Sequence, residues 1–260
     1  MTGETPLLHA VGVSKSFGPV SALRDVSLTV RAGQVACLLG DNGAGKSTLI
    51  KILAGALRAD SGSIEMLGRE MVFHSPRAAL DAGIATLYQD LAVVSVMPVF
   101  RNFFLGNEPV RGRLLLRRFD IAKAIATTRE ELAEIGIDLD DASRPIATLS
   151  GGERQCVAIA RAVHLGAKVL ILDEPTSALG VHQSEIVLRY VLQTCRRGVG
   201  VILVTHNPEH AYAVGDEFTI LSRGEVARVW QKQDLTADAL VREMASGKKV
   251  GDLSGLAART

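Results

Sequence analysis

The residues Gly40-Asp41-Asn42-Gly43-Ala44-Gly45-Lys46-Ser47-Thr48 have the composition and spacing of a loop that wraps phosphate. They follow an apolar run at residues 35–39 and open a helical pattern at 46–54, the setting such a loop requires. The glycines let backbone N–H groups turn inward, and Lys46 reaches the β- and γ-phosphates of a nucleoside triphosphate. The Ser47 hydroxyl is suited to ligate Mg²⁺, and the helix start adds favourable potential for an anion. A second run, Val169-Leu170-Ile171-Leu172-Asp173-Glu174, reads as a buried strand ending in two carboxylates. Asp173 could hold Mg²⁺ through its hydration shell, while Glu174 could orient and deprotonate an attacking water. Alone, such a strand end is more often a solvated acidic turn; beside the phosphate loop it reads as part of one site. A third run, Leu149-Ser150-Gly151-Gly152-Glu153-Arg154-Gln155, stands just ahead of another helical pattern. Ser150 with paired glycines at a helix start makes a second anion-binding surface. An N-cap role accounts for Ser150 but leaves the glycines unexplained.

The elements that must position these residues alternate between short aliphatic runs (35–39, 169–172, 201–204) and helical stretches, which indicates an α/β fold with a largely parallel sheet. Residues 91–165 break that rhythm, with almost no strand-like run and with helical stretches at 120–135 and 153–163, so they read as an inserted helical lobe. Residues 7–13 and 26–30 look like antiparallel strands flanking the core, with Gly18 and Pro19 marking a turn. Residues 218–221 and 225–229 bracket Arg223 and Gly224 as a hairpin. Residues 247–260 are small and polar and are expected to fray. A hydrophobic content of 47% over 260 residues supports a full core. With 29 Lys and Arg against 28 Asp and Glu, a net charge of +1 gives no global drive toward nucleic acid or acidic lipid, and no nucleic-acid partner is expected. Cys37, Cys156 and Cys195 form no CxxC pair, which argues against a zinc site and fits a reducing compartment. The N-terminus lacks a signal-peptide pattern, and no stretch approaches the roughly 18 apolar residues that cross a bilayer.

With these motifs in this order, the chain closely resembles the ABC ATPases, whose signature reads LSGGQ, over nearly its whole length. The resemblance implies an α/β fold with a RecA-like P-loop NTPase core, an antiparallel β subdomain and an inserted α-helical signature subdomain. It implies ATP and Mg²⁺ as ligands and two cassettes dimerised head to tail. Ser150 and Gly152, with Gly151 between them, then contact the γ-phosphate of ATP held by the partner's loop. Gly40, Asn42, Gly43, Ala44, Gly45, Lys46, Ser47 and Thr48 are the corresponding loop contacts. Phe17, after Ser14-Lys15-Ser16, matches an aromatic that stacks on adenine. Gln89 matches the glutamine that senses Mg²⁺ and the attacking water while linking core to helical lobe. His206, delivered by the run 201–205, matches a histidine that contacts the γ-phosphate. The resemblance thus gives Lys46, Gln89, Glu174 and His206 as catalytic and Ser47, Gln89 and Asp173 as metal-binding. Gly180 departs from the pattern, which has aspartate there to help the two sites communicate.

Within that family, Tyr88-Gln89-Asp90-Leu91-Ala92, Arg101-Asn102-Phe103-Phe104-Leu105-Gly106 and residues 176–181 look like bacterial monosaccharide importers, especially single-cassette fructose/ribose-type subunits. The expectation is one ATPase domain over residues 1–246, with a core at about 1–90 and 166–246 and a helical subdomain at about 91–165. Residues 247–260 form a tail. The expected partners are a second cassette, in a homodimer, and transmembrane permease subunits docking near residues 91–105. An external sugar-binding protein is expected to act indirectly. The expected location is the cytoplasmic face of the inner membrane, as a peripheral subunit. The alternatives are import of another small solute, or a soluble regulatory or assembly ATPase without a permease. The basic stretch at 111–118 reads as a solvated face, with lipid head groups or a partner as the alternative.

Overall fold

The computed structural model describes residues 5–112, 118–134 and 136–246. The expected tail at 247–260, the middle of the basic stretch at 111–118 and the last residue of the expected helix at 120–135 lie outside the described residues. In chain order the elements begin with β1 (Leu8–Phe17), β2 (Val20–Val30), β3 (Val35–Leu39), α1 (Lys46–Leu53), β4 (Ser61–Met66) and β5 (Arg69–Met71). Then come α2 (Pro76–Asp81), β6 (Ile84–Leu87), α3 (Val99–Phe103), β7 (Val110–Arg111), β8 (Arg118–Phe119), α4 (Ile121–Ala133) and α5 (Gly151–His164). The chain continues through β9 (Val169–Asp173), α6 (Val181–Arg196), β10 (Gly200–Val204), α7 (Pro208–Val214), β11 (Glu217–Ser222), β12 (Glu225–Gln231) and α8 (Ala237–Ser246).

Two sheets carry the architecture. One is four-stranded and antiparallel in the order β2-β1-β4-β5, and the other is six-stranded in the order β12-β11-β3-β10-β9-β6. The second sheet is parallel from β11 to β6, with β12 turned back along its edge. Strands β3 and β10 are buried at every residue, because a parallel sheet covered on both faces has no solvent side. Register then decides where the working loops emerge: Val204 pairs with both Leu38 and Asp173, so β3, β10 and β9 end level with one another.

The period of two along each strand divides the core between the faces. Cys37, Leu172 and Leu203 pack toward Phe103, Leu132 and Ile159 of the helices, whereas Leu38, Ile171 and Ile202 pack toward Leu49, Ile50, Leu8 and Leu23. Helices α3, α4 and α5 contact one another and share the first of these cores with the parallel sheet. Asp120 caps α4, its side chain accepting from Lys123 N at 3.1 Å.

Three sequence expectations change. The region 91–165 does contain strands, β7 and β8, which pair only as Val110 with Phe119 and Arg111 with Arg118. Such a short ladder leaves no alternating run to read, and it is held in place by Phe119 stacking on Phe100 at 5.9 Å. The first strand runs on to Phe17, passing through irregularities in its pairing with β2 and β4 that no alternating pattern signals. Helix α5 begins at Gly151, two residues earlier than its apolar pattern suggests, because Ser150 caps it.

Candidate functional site

The phosphate-loop glycines are fixed by conformation and by close approach. Gly40 has φ 144°, and a Cβ there would lie 2.3 Å from the Leu221 carbonyl oxygen. Gly45 has φ 108°, and its Cβ would stand 2.7 Å from Ala22 O and 2.8 Å from Leu23 Cδ2. The loop is thus pressed between β2 and the end of β11. Gly224 N donates to Ala44 O at 2.9 Å, and Arg24 N donates to Gly224 O at 2.7 Å, so the β11–β12 turn clamps the loop from outside. Gly45 is also the N-cap of α1 and supplies no side-chain capping bond.

Lys46 is only 7% exposed, and its Nζ donates to Gly40 O at 2.6 Å and Asp41 O at 3.0 Å. Burial lowers its pKa from the ordinary lysine value, opposed by the charges of Glu174, Asp173 and Asp41. At the level end of β9, burial raises the Asp173 carboxyl above the usual carboxylate value. The neighbouring Glu174 charge adds to that shift, and Lys46 and Lys51 oppose it. Glu174 follows with φ 52°, a left-handed conformation for a residue with a side chain. Its N–H donates to Val204 O at 2.9 Å, tying this turn to the end of β10. The next residues off β10 bring His206 back to it: His206 Nδ1 lies 2.8 Å from Glu174 Oε1, the carboxylate 16% and the imidazole 63% exposed. Asn207 then caps α7 by accepting from Glu209 N and His210 N.

Sheet order explains the assembly. Strands β3, β10, β9 and β6 lie side by side, and at or just past their ends come the phosphate loop, His206, the Asp173–Glu174 pair and Gln89 respectively. A cleft of about 530 Å³ is lined by Asp41, Gln89, Glu174 and His206, with Val241 and Met244 of α8 on its far wall. On the other flank of the loop a second cleft of about 450 Å³ is lined by Val20, Arg24, Lys46, Ser47, Thr48 and Arg223. Asp41 and Asn42 border both. Phe17 is 50% exposed and pairs with Val20 across the β1–β2 turn, with Lys15 Nζ 5.8 Å from its ring centroid.

Ser150, Gly151 and Gly152 line neither cleft. Ser150 and Glu153 form a reciprocal capping box: Ser150 Oγ accepts from Glu153 N at 3.3 Å, and Glu153 Oε2 accepts from Ser150 N at 2.7 Å. The paired glycines have a packing reason that no local pattern signals. A Cβ on Gly151 would stand 2.7 Å from Leu179 Cδ2, and one on Gly152 would stand 3.0 Å from Gln183 O. Sequence reasoning also missed the Thr176 Oγ1 to His210 Nδ1 contact at 2.9 Å, the α8 wall and Arg223 in the second cleft. Of these, only Arg223 carried a local signal, its place in an expected tight turn.

Metal binding rests on the donor set. No group of three or more His, Cys, Asp or Glu among the described residues is arranged to hold a metal ion. Ser47, Asp173 and Gln89 offer oxygen atoms, which suit a hard cation that keeps water and phosphate ligands, as Mg²⁺ does.

Comparison with known proteins gives a consistent result. A family model described as "ABC transporter" matches residues 23–177. A xylose/arabinose import ATP-binding protein of Sulfolobus acidocaldarius is 39% identical over 240 residues, covering 92% of this chain and 94% of that protein. A fructose import ATP-binding protein of Rhizobium meliloti is 38% identical over 250 residues, covering 95% and 96%. An arabinose import ATP-binding protein of Ralstonia nicotianae is 41% identical over 94% of this chain, which spans only 47% of that longer protein. Among solved structures, a nucleotide-free ATP-binding cassette from an ABC transporter superposes with a TM-score of 0.79 at 22% identity, covering 96% of this chain and 98% of that one. No helix among the described residues is long and apolar enough to cross a membrane.

Proposed function

Because the chain belongs to the ABC transporter family of ATP-binding, ATP-hydrolysing proteins, we propose that it is the motor subunit of a monosaccharide importer. The sugar-import names of relatives covered almost end to end support the monosaccharide. The observation that carries the mechanism is the Glu174–His206 contact at 2.8 Å, beside the loop that contains Lys46.

The γ-phosphate of ATP sits in the cleft bordered by Asp41, Gln89, Glu174 and His206. Lys46 leaves its loop carbonyls to bind the β- and γ-phosphates, and the loop N–H groups hold the rest of the triphosphate. Glu174 accepts a proton from the attacking water while the water oxygen bonds to the γ-phosphorus and the bond to the β-phosphate oxygen breaks. His206 holds the Glu174 carboxylate and approaches the γ-phosphate, and Gln89 orients the water. Ser47 and Asp173, with Gln89, would hold Mg²⁺, which when bound neutralises charge on the β- and γ-phosphates. Phe17 stacks on adenine. Ser150, Gly151 and Gly152 of a second copy complete the anion site, so ATP joins two cassettes, and their closing and parting drive the permease. Residues 1–246 act as one ATPase domain, with the helical subdomain at about 91–165 facing the permease near residues 91–105. The subunit works peripherally at the cytoplasmic face of the membrane, fed by an external sugar-binding protein.

Glu174→Gln tests the chemistry. Loss of the base lowers hydrolysis by roughly a hundredfold or more while ATP binding persists, measured by phosphate release and by nucleotide titration. Near-normal turnover would remove Glu174 from the role. Deleting the gene and following uptake of labelled xylose, arabinose and fructose tests the cargo, and unchanged uptake of all three would sink the monosaccharide assignment.

A further inference from the structure

The turn between β11 and β12 contains only Arg223 and Gly224, since Ser222 pairs with Glu225. Both have positive φ, 52° and 82°. A two-residue turn of this kind normally takes Asn-Gly, because asparagine tolerates the left-handed region and most other side chains do not. An arginine there is uncommon but not unique in this chain, since Leu67 takes φ 52° at the same place in the β4–β5 turn, and what distinguishes Arg223 is its surroundings. Arg223 lines the second cleft together with Val20, Lys46, Ser47 and Thr48. The cleft's other arginine, Arg24, is neutralised by Glu225, Nε to Oε1 at 3.1 Å. No ion pair among the described residues engages Arg223. The turn is also rigidly mounted on the phosphate loop by the Gly224 N to Ala44 O bond at 2.9 Å.

We propose that Arg223 is a nucleotide-positioning residue that binds the ribose and α-phosphate end of ATP; the proposal rests on the ATPase reading above. The direction of the bound nucleotide follows from the two clefts. The groups for γ-phosphate chemistry, Glu174 and His206, border the first, while Val20, the cross-strand partner of Phe17, borders the second. A nucleotide laid along the loop therefore has its adenosine end on the Val20 and Arg223 side and its terminal phosphate toward Glu174 and His206. Arg223 accordingly holds ATP and ADP alike and takes no part in the bond-breaking step.

The test compares wild type, Arg223→Asn and Arg223→Lys by titration with ATP and with ADP, steady-state hydrolysis and thermal melting. Asparagine suits the turn, so Arg223→Asn melts at or above the wild-type temperature. The dissociation constants for ATP and ADP rise together by about 3- to 10-fold, the size of one partly exposed charged contact. kcat stays within about twofold, and Arg223→Lys recovers part of the affinity. Unchanged dissociation constants, a loss confined to ATP, or a loss that accompanies a lower melting temperature would each overturn the assignment. A wild-type chain that binds neither nucleotide overturns the functional reading and this assignment with it.

Discussion

Two parts of the molecule present groups suited to phosphate, and they are built on opposite terms. At the sheet edge, Lys46 and Asp173 are held where burial works against their charges, lowering the lysine pKa and raising the carboxyl's. Glu174 sits in a backbone conformation that side chains disfavour. At the start of α5, Ser150 and Glu153 satisfy each other, and Gly151 and Gly152 are closely packed on Leu179 and Gln183. The first region gives up stability to hold the groups proposed to carry the chemistry. The second is at rest: its residue choices follow from the fold of one chain, and any role in anion binding is added by a partner. Substitution should therefore separate the two, activity and stability moving in opposite directions at the edge and stability alone responding at the helix start within an isolated chain.

The largest effect belongs to Asp173→Asn. The amide keeps the shape but no longer offers a charge to the metal, and hydrolysis falls by roughly a hundredfold or more. The melting temperature at neutral pH rises by roughly 1–4 °C because an unfavourably buried charge is gone. The pH dependence has a definite sign. With the folded-state pKa raised above the unfolded value, the native state binds the proton more tightly in the window between them, so this group's contribution to stability increases as pH falls. Activity runs the other way, since the ionised form is the one that serves: the rate declines as pH falls through the carboxylate's titration. A variant that melts lower than wild type at neutral pH would erase the contrast between the two regions.

Much of that edge was legible in the sequence because its signals are local. A glycine-rich turn after an aliphatic run and a strand ending in Asp173 and Glu174 announce themselves within a few residues, and parallel order is enough to bring them together. The reason for Gly151 and Gly152 was not legible, because it lies in Leu179 and Gln183, about thirty residues onward and across a helix contact. The α8 wall escaped for the same cause: Val241 and Met244 reach the cleft only through the packing of α8 on α7. The β7–β8 pair was too short to produce a pattern.

Alanine at the two glycines gives an intermediate effect and sharpens the account of the helix start. Gly152→Ala pushes a methyl toward the Gln183 backbone oxygen, which cannot move without parting α5 from α6. Strain of about 1–3 kcal/mol then outweighs a helix-propensity gain of at most about 1 kcal/mol, for a net loss near 1 kcal/mol. Gly151→Ala meets the ends of the Leu179 and Gln183 side chains, which can rotate away at a smaller cost, so this variant loses less stability than Gly152→Ala. Paired thermal melts decide the matter, and the reverse order would mean that packing on α6 is not what selects these glycines.

The smallest effect is expected at Gly180, where the ABC pattern has aspartate. Gly180 is the N-cap of α6, with φ −69° and ψ 166°, a conformation open to any residue, and a Cβ there would meet nothing within 4 Å. No side chain caps this helix at present. Gly180→Asp supplies an acceptor for the first-turn N–H groups and a negative charge at the positive end of the helix, together about 0.5 kcal/mol over glycine and roughly 1–2 °C in melting temperature. Because the start of α6 is what Gly152 packs against, firming it should also hold the two helix starts in register for the partner. The measurement is the ATP dependence of hydrolysis at concentrations where the chain dimerises. Steeper dependence with a small gain in melting temperature is expected, and a gain in melting temperature with an unchanged curve would confine residue 180 to the cap and assign communication between the sites to other residues.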